Sequence, residues 1–292
     1  MTVALLVAVG AAEQGRSTVI FLTKEAVRRV FDGAATGGCE GCPTTVFSSV
    51  PDVPGRLCRV SSWRRMAALD NAEWCHTVCR THGLQPEFDD DAWVSEVRTP
   101  PLSPDAVTLV PNASIPRLLT RIDTSAGCSV KDSFASLDLT PYGFRILFEA
   151  QWIVRPSHGQ RHPERSDERW ELVGDKGSLA SWEEAWRGDD GPTDVVRSDL
   201  LEDDSVAIMG VRNGDRFIAG AVLHRSSAVV GISNLFADPA VGSGWSGCLT
   251  LAEELFPAAT FVGYESGDAL VAARSHGFED AGPLRVWILE SP

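Results

Sequence analysis

The stretch that decides the fold is Val229–Pro292, VVGISNLFADPAVGSGWSGCLTLAEELFPAATFVGYESGDALVAARSHGFEDAGPLRVWILESP. The apolar run Val229–Phe236 predicts a strand, followed by a loop bearing Gly242, Gly244 and Gly247. A helix over Cys248–Leu255, a strand over Thr260–Tyr264, a helix over Ser266–His276 and a closing strand over Leu284–Leu289 come next. A glycine loop between a strand and a helix N-terminus gathers backbone N–H groups where a pyrophosphate can rest. The order therefore predicts a nucleotide-like cofactor held at Gly242, Ser243, Gly244, Ser246 and Gly247.

Upstream, Val206–Val211 and Phe217–His224 flank Asn213-Gly214, the dipeptide a tight type I′ hairpin turn wants. Ser178–Trp186 reads as a helix that buries Trp182 and Trp186 (i, i+4) against the sheet and turns Glu183 and Glu184 to solvent. Pro156–Asp167, with His158 and His162, reads as an exposed polar loop, and Phe144–Val154 as a long strand whose aromatics belong to the core. Cys128–Ala135 is expected to be helical. So is Ile115–Ile122, where Pro116 sits in the first turn, and Val107–Val110 is expected to be a strand. Successive strands followed by strand–helix–strand–helix–strand predict an α/β fold: a mixed, mostly antiparallel sheet flanked by helices.

Charge and cysteine content both change near residue 85. Residues 1–85 hold nine Lys/Arg against seven Asp/Glu; the rest holds 17 against 33 and opens on the acidic run Glu87, Asp89, Asp90, Asp91, expected to be a solvated face. Before the boundary, a helix is expected over Val3–Gln14, ended by Gly15, then a β-branched strand over Ser17–Leu22 and a helix over Lys24–Phe31. The loop TGGCEGCP comes next, and Thr44–Ser62 shows no periodicity. One strand and two helices cannot cover a sheet. Residues 1–85 thus read as a small partial α/β segment, and 86–292 as the main domain.

Net charge of −14 argues against nucleic acid or an anionic membrane as the partner, since both need a basic footprint. Met1–Ala12 is apolar but lacks a basic flank and runs into Glu13 and Gln14, unlike a secretory signal. No run reaches the ~18 apolar residues of a membrane helix. A cytoplasmic protein is expected. Seven cysteines, five of them within the first 79 residues, do not form a secreted disulfide framework.

From about Asp91 to Glu290 the chain resembles the GCN5-related N-acetyltransferase (GNAT) fold, an acyl-CoA N-acyltransferase-like architecture. The likeness rests on the order of elements from Val206 on, on Asp238-Pro239 ahead of the glycine loop, and on the Gly277-Phe278 step before the last strand. The resemblance implies acetyl-CoA as cofactor and transfer of the acetyl group to an amine, on a small molecule or a peptide. Three positions depart from the family pattern: Gly242 and Trp245 stand where Arg or Gln and a close-approach glycine are expected, and Ala273 where many members carry a proton-donating tyrosine. Ala4–Pro43, with its VIFLT strand and Cys-Glu-Gly-Cys-Pro loop, resembles a fragment of the DsrE-like sulfur-relay family.

Attack of an amine on a thioester needs a proton acceptor near the nitrogen and N–H donors near the carbonyl oxygen. Strand Gly231–Phe236, carrying Ser233 and Asn234, is the expected source of donors, and Glu265, at the end of the next strand, the expected base. The same fold without its cofactor would be a ligand-binding or interaction module. Cys39-x-x-Cys42 suits sulfur or redox chemistry, or, with Cys75, Cys79, His76 and His82, a zinc site; an inert arm is the third possibility. Cys128 and Lys131, one face of an expected helix, would make an activated thiol or an ordinary surface pair.

Overall fold

The computed structural model describes residues 5–8, 19–22, 54–157, 168–188, 191–238 and 241–290. In chain order they form β1 (Leu5–Ala8), β2 (Val19–Leu22), α1 (Pro54–Thr81), β3 (Glu87–Phe88), β4 (Ala92–Val94), β5 (Ala106–Thr108), α2 (Ile115–Leu119), β6 (Ser129–Asp132) and β7 (Phe144–Arg155). Then follow β8 (Glu171–Leu172), α3 (Lys176–Arg187), β9 (Val206–Asn213), β10 (Arg216–Arg225), β11 (Val230–Ala237), α4 (Trp245–Leu255), β12 (Phe261–Glu265), α5 (Gly267–Ser275) and β13 (Glu279–Leu289). Strands β3 to β13 make one mixed sheet in the order β3-β4-β5-β6-β13-β7-β12-β11-β10-β9-β8. No helix among the described residues is long and apolar enough to cross a membrane.

Period-two alternation explains both faces. On β7, Trp152 and Val154 point to one side, where Ala67 and Ala68 of α1 meet them, and Ile153 points to the other, toward α4 and α5. On β10, Val222 joins Trp182 and Trp186 of α3, while Ala221 and Leu223 join Leu249 of α4. Helices α1 and α3 thus cover one face; α4 and α5 cover the other. Sequence order hides one feature: β7 lies between β12 and β13, so the closing strand at the C-terminus is separated from β12 by a strand from far upstream. Arg155 at the end of β7 is buried, pairs with Glu253 of α4 and donates to the carbonyl of His276 (3.1 Å), tying both helices to the sheet.

Several expectations change. Leu5–Ala8 is a strand, paired antiparallel with Val19–Leu22, and not part of a helix. Lys24–Phe31, Cys39 and Cys42 lie outside the described residues, as do His158 and His162. The aperiodic Thr44–Ser62 runs into a 28-residue helix that opens at Pro54. Its buried residues among the described side chains are Ala67, Ala68, Asp70, Asn71, Ala72, Trp74, Cys75, Val78 and Cys79; small and polar groups outnumber the two large apolar ones, so no apolar face registers in the sequence. A boundary at residue 85 would cut this helix from the sheet it packs on, because α1 shares apolar clusters with β4, β5, β7, β12 and β13. Cys128–Ala135 is not a helix: Ser129–Asp132 pairs with Arg285–Ile288 of β13. The acidic run is only partly solvated, since Asp89 binds Arg117 (3.0 Å) and Arg121 and so fastens α2 to the β3–β4 turn. Glu183 likewise turns inward and accepts from the Val195 (2.7 Å) and Val196 (2.9 Å) N–H groups.

The hairpin forms, but with a different turn. Asn213 pairs with Arg216, leaving Gly214 (φ +62) and Asp215 as the two loop residues, with positive φ at the first alone. That is the type II′ demand for glycine, not the type I′ demand for Asn-Gly. A Cβ on Gly214 meets nothing within 4 Å, so substitution there costs backbone conformation only. Gly214→Val is expected to lower stability by about 1–2 kcal/mol, the cost of a left-handed L-residue, read from the urea midpoint at unchanged m-value.

Candidate functional site

Strands β11 and β12 run parallel and pair only at Val230↔Phe261 and Gly231↔Val262. Beyond that point they part. From Ile232 onward β11 keeps β10 as its paired neighbour, and even there the register slips: Ala221 faces two residues, Asn234 and Leu235. Asn234 takes φ +54, a conformation asparagine tolerates better than most side chains. The bulge and the parting leave the β12 side of β11 with backbone groups outside the ladder, at the middle of the sheet. Glu265 stands at the open end of β12, opposite Gln151. Burial pushes its carboxyl up to about 8, with no compensating cation or hydrogen-bond donor among the described residues. Both candidate catalytic residues therefore border the split.

The glycine loop ends β11 and opens α4. Gly244 (φ +74) is the N-cap of α4 and makes no side-chain cap. The first helical bond is Cys248 N–H to Gly244 O (3.1 Å), so the first-turn N–H groups precede the ladder. Gly242 (φ +70) is exposed, and a Cβ there would meet nothing within 4 Å; Ser243 is half-buried. Trp245 does not obstruct the loop. Its indole is 2% exposed, turned into the core with its ring centroid 4.8 Å from that of Phe278. Gly247 has a packing duty, since a Cβ there would lie 1.9 Å from Nε1 of Trp170. Gly242, Ser243, Gly244 and the amide of Ser246 thus frame the end of α4, while Gly247 holds Trp170. Ala273 is fully buried in the same apolar cluster as Trp245.

On the face covered by α1, the split opens into a narrow cleft, of which about 20 Å³ is accessible to water. Its walls are Asp70, Asn71 and Trp74 of α1, Trp152, His224, Ser233 and Tyr264. Asp70 Oδ1 lies 3.3 Å from His224 Nδ1, and both side chains are buried. Burial raises the Asp70 carboxyl, against the opposing pull of His224, Ser226 and the Gly231 N–H. Glu73, one turn on, is also raised by burial and by Asp70. Lys131 Nζ donates to Asn71 Oδ1 (2.7 Å) and stands 4.4 Å over the Tyr264 ring, with no carboxylate bonded to it among the described residues. Sequence reasoning missed this constellation: Asp70 sits in a helix without an apolar stripe, and its partner is 154 residues away.

The thiols of Cys75, Cys79, Cys128 and Cys248 are buried. Cys75 and Cys79 pack against Trp93 and Val107, and burial raises both. Cys128, immediately before β6, is buried on the face away from α1 with its thiol pushed up to about 12, whereas Lys131 reaches Asn71 of α1. His76 Nδ1 accepts from Trp93 Nε1 (3.4 Å) and His82 Nε2 lies 3.3 Å from Val195 O. No group of three or more His, Cys, Asp or Glu among the described residues could hold a metal.

No protein-family model and no curated protein matches the chain by sequence. Solved structures do match. A functionally unknown conserved protein from Staphylococcus epidermidis ATCC 12228 aligns with TM-score 0.53 and 11% identity, over 71% of this chain and 95% of its own. A GCN5-related N-acetyltransferase from Kribbella flavida aligns with TM-score 0.52 and 12% identity, over 77% of this chain and 96% of its own. The chain therefore has the GNAT, acyl-CoA N-acyltransferase-like fold. Nothing in these likenesses supports the DsrE-like resemblance of the first residues.

Proposed function

We propose that the chain transfers an acyl group, acetyl in the first instance, from CoA to an amine. The observation that carries this is the parting of β11 from β12 after two residue pairs, directly ahead of a helix whose N-terminus has no side-chain cap. Acetyl-CoA supplies an activated thioester. The exposed Gly242, Ser243 and the left-handed Gly244 leave the loop amides open to a diphosphate, and the α4 dipole favours its charge. The freed edge of β11 around Asn234 offers N–H donors to a carbonyl oxygen. Glu265 and Asn234 border the reacting position. No side chain at Ala273 can protonate a departing thiolate, so water must do so. That same alanine favours a second reading, in which the fold binds a ligand without turning it over. The acidic chain and its lack of a membrane-crossing helix among the described residues agree with a cytoplasmic setting.

Calorimetric titration of the full chain with acetyl-CoA tests the proposal. Saturable micromolar binding is expected, weakened about tenfold or more, at least 1.4 kcal/mol, by Gly244→Val, because the cap must leave its left-handed conformation. Absence of binding at millimolar acetyl-CoA would leave the ligand-module reading. A thermal melt of the variant separates lost binding from lost folding.

A further inference from the structure

We infer that His224, oriented by Asp70, accepts the proton from a primary amine whose head group enters the cleft beneath α1. The inference rests on the acyl-transfer reading above and extends it to the acceptor. Asp70 reaches β10 across Gly231, where a Cβ would lie 2.0 Å from Asp70 Oδ2. A glycine at that position is what lets the carboxylate meet the imidazole. With Nδ1–H donating to Asp70, the lone pair is on Nε2. Nε2 has no hydrogen-bond partner among the described residues, and it is not among the sealed, unpartnered atoms of the core. It therefore faces the cleft that His224 lines.

The size and lining of the cleft select the head group. The accessible space is about that of one water molecule, which admits an NH₂ or NH₃⁺ head and excludes a trialkylated nitrogen. The carboxyl of Asp70 and the rings of Trp74, Trp152 and Tyr264 line the cleft and favour an amine head over an anionic one. Lys131 on β6 is held behind this wall by Asn71 and the Tyr264 ring.

In the step itself, an ammonium head first loses one proton to solvent; the neutral amine nitrogen then forms the C–N bond to the thioester carbonyl carbon and gives its second proton to Nε2. The C–S bond breaks with its electron pair on sulfur, and water protonates the thiolate. His224 then returns its proton to solvent. Asp70 is a positioning residue, since it acts through the imidazole.

The test uses the full chain with ¹⁵N-labelled histidine and n-propylamine as probe. Without acetyl-CoA, the His224 signals are expected to show the Nδ1–H tautomer and to shift saturably with n-propylamine but not with trimethylamine. Asp70→Asn is expected to mix the tautomers. With acetyl-CoA, His224→Gln is expected to lower kcat/KM for amine-dependent thiol release about 100-fold, leave acetyl-CoA affinity unchanged and abolish the acid limb of the pH profile. That limb must coincide with the His224 titration seen by NMR, where Asp70, Glu73, Lys131 and Tyr264 are the ionisable neighbours. An Nε2–H tautomer, a His224 signal indifferent to n-propylamine, or a His224→Gln enzyme with the wild-type rate and acid limb overturns the inference. Failure of acetyl-CoA to bind would sink the acyl-transfer reading alone, because the NMR titration still decides the amine site.

Discussion

Trp182→Ala is expected to lower the unfolding free energy by about 3–5 kcal/mol, the range for truncating a buried Trp. Trp182 is fully buried on α3, where it joins that helix to the sheet. Its indole stacks on Trp186 (centroids 6.0 Å, 22°) and meets Phe236 edge-on (5.4 Å, 73°). Nε1 donates to the Met209 carbonyl (2.9 Å) on β9. The ring fits because β10 carries glycine beneath it: a Cβ on Gly220 would lie 2.2 Å from Trp182 Nε1 and 2.6 Å from Phe236. Two further variants separate these contributions. Trp182→Phe keeps most of the apolar bulk and loses the hydrogen bond, for about 1–2 kcal/mol. Gly220→Ala clashes in the wild type and is relieved in the Trp182→Ala background, so the two changes should couple by more than about 0.5 kcal/mol. Urea unfolding followed by circular dichroism measures the wild type and the four variants, the double variant included. Additive losses, or a Trp182→Ala loss below about 1 kcal/mol, would show that α3 is not anchored through this ring.

This pair also shows what can be read from a chain and what cannot. The Trp182/Trp186 spacing announces its helix because one face is apolar and the other is not. The same holds for α4, whereas β7, β10 and β11 show themselves as near-continuous apolar runs because they are buried on both faces. α1 is opaque because alanine, cysteine, aspartate and asparagine outnumber Trp74 and Val78 on its buried face, and because its value lies in partners that sequence distance conceals. Ser129–Asp132 fits either period over four residues; only pairing with β13 makes it a strand. For the candidate site, the glycine loop, Asn234 and Glu265 could be located from element order alone. The direction of the Trp245 indole could not: as the first helical residue it turns inward to Phe278, which no local rule dictates. The Asp70–His224 pair needed the third dimension altogether.

Glu265 gives the last expected result. Its carboxyl is raised from 4.5 to about 8 by burial, so the folded chain holds a proton there that the unfolded chain has already lost above pH 4.5. Between those values the native state binds more protons than the unfolded state. Stability must therefore fall as pH rises, and level off once the folded group has ionised. At about 1.4 kcal/mol for each tenfold change in its acidity, the loss attributable to this residue is about 4–5 kcal/mol. Glu265→Gln cannot ionise. Its stability should equal that of the wild type near pH 4.5 and exceed it by about 4–5 kcal/mol at about pH 9; parallel curves across that range would mean that the carboxyl is not buried. The protonation state also bears on chemistry. At neutral pH Glu265 is an uncharged acid, fit to donate a hydrogen bond and unfit to take a proton. Alternation along β12 sets it on the opposite face from Tyr264, away from His224. Proton removal at neutral pH then falls to the histidine. A rate that climbs through about pH 8 in the wild type and stays flat in Glu265→Gln would give the role back to the glutamate.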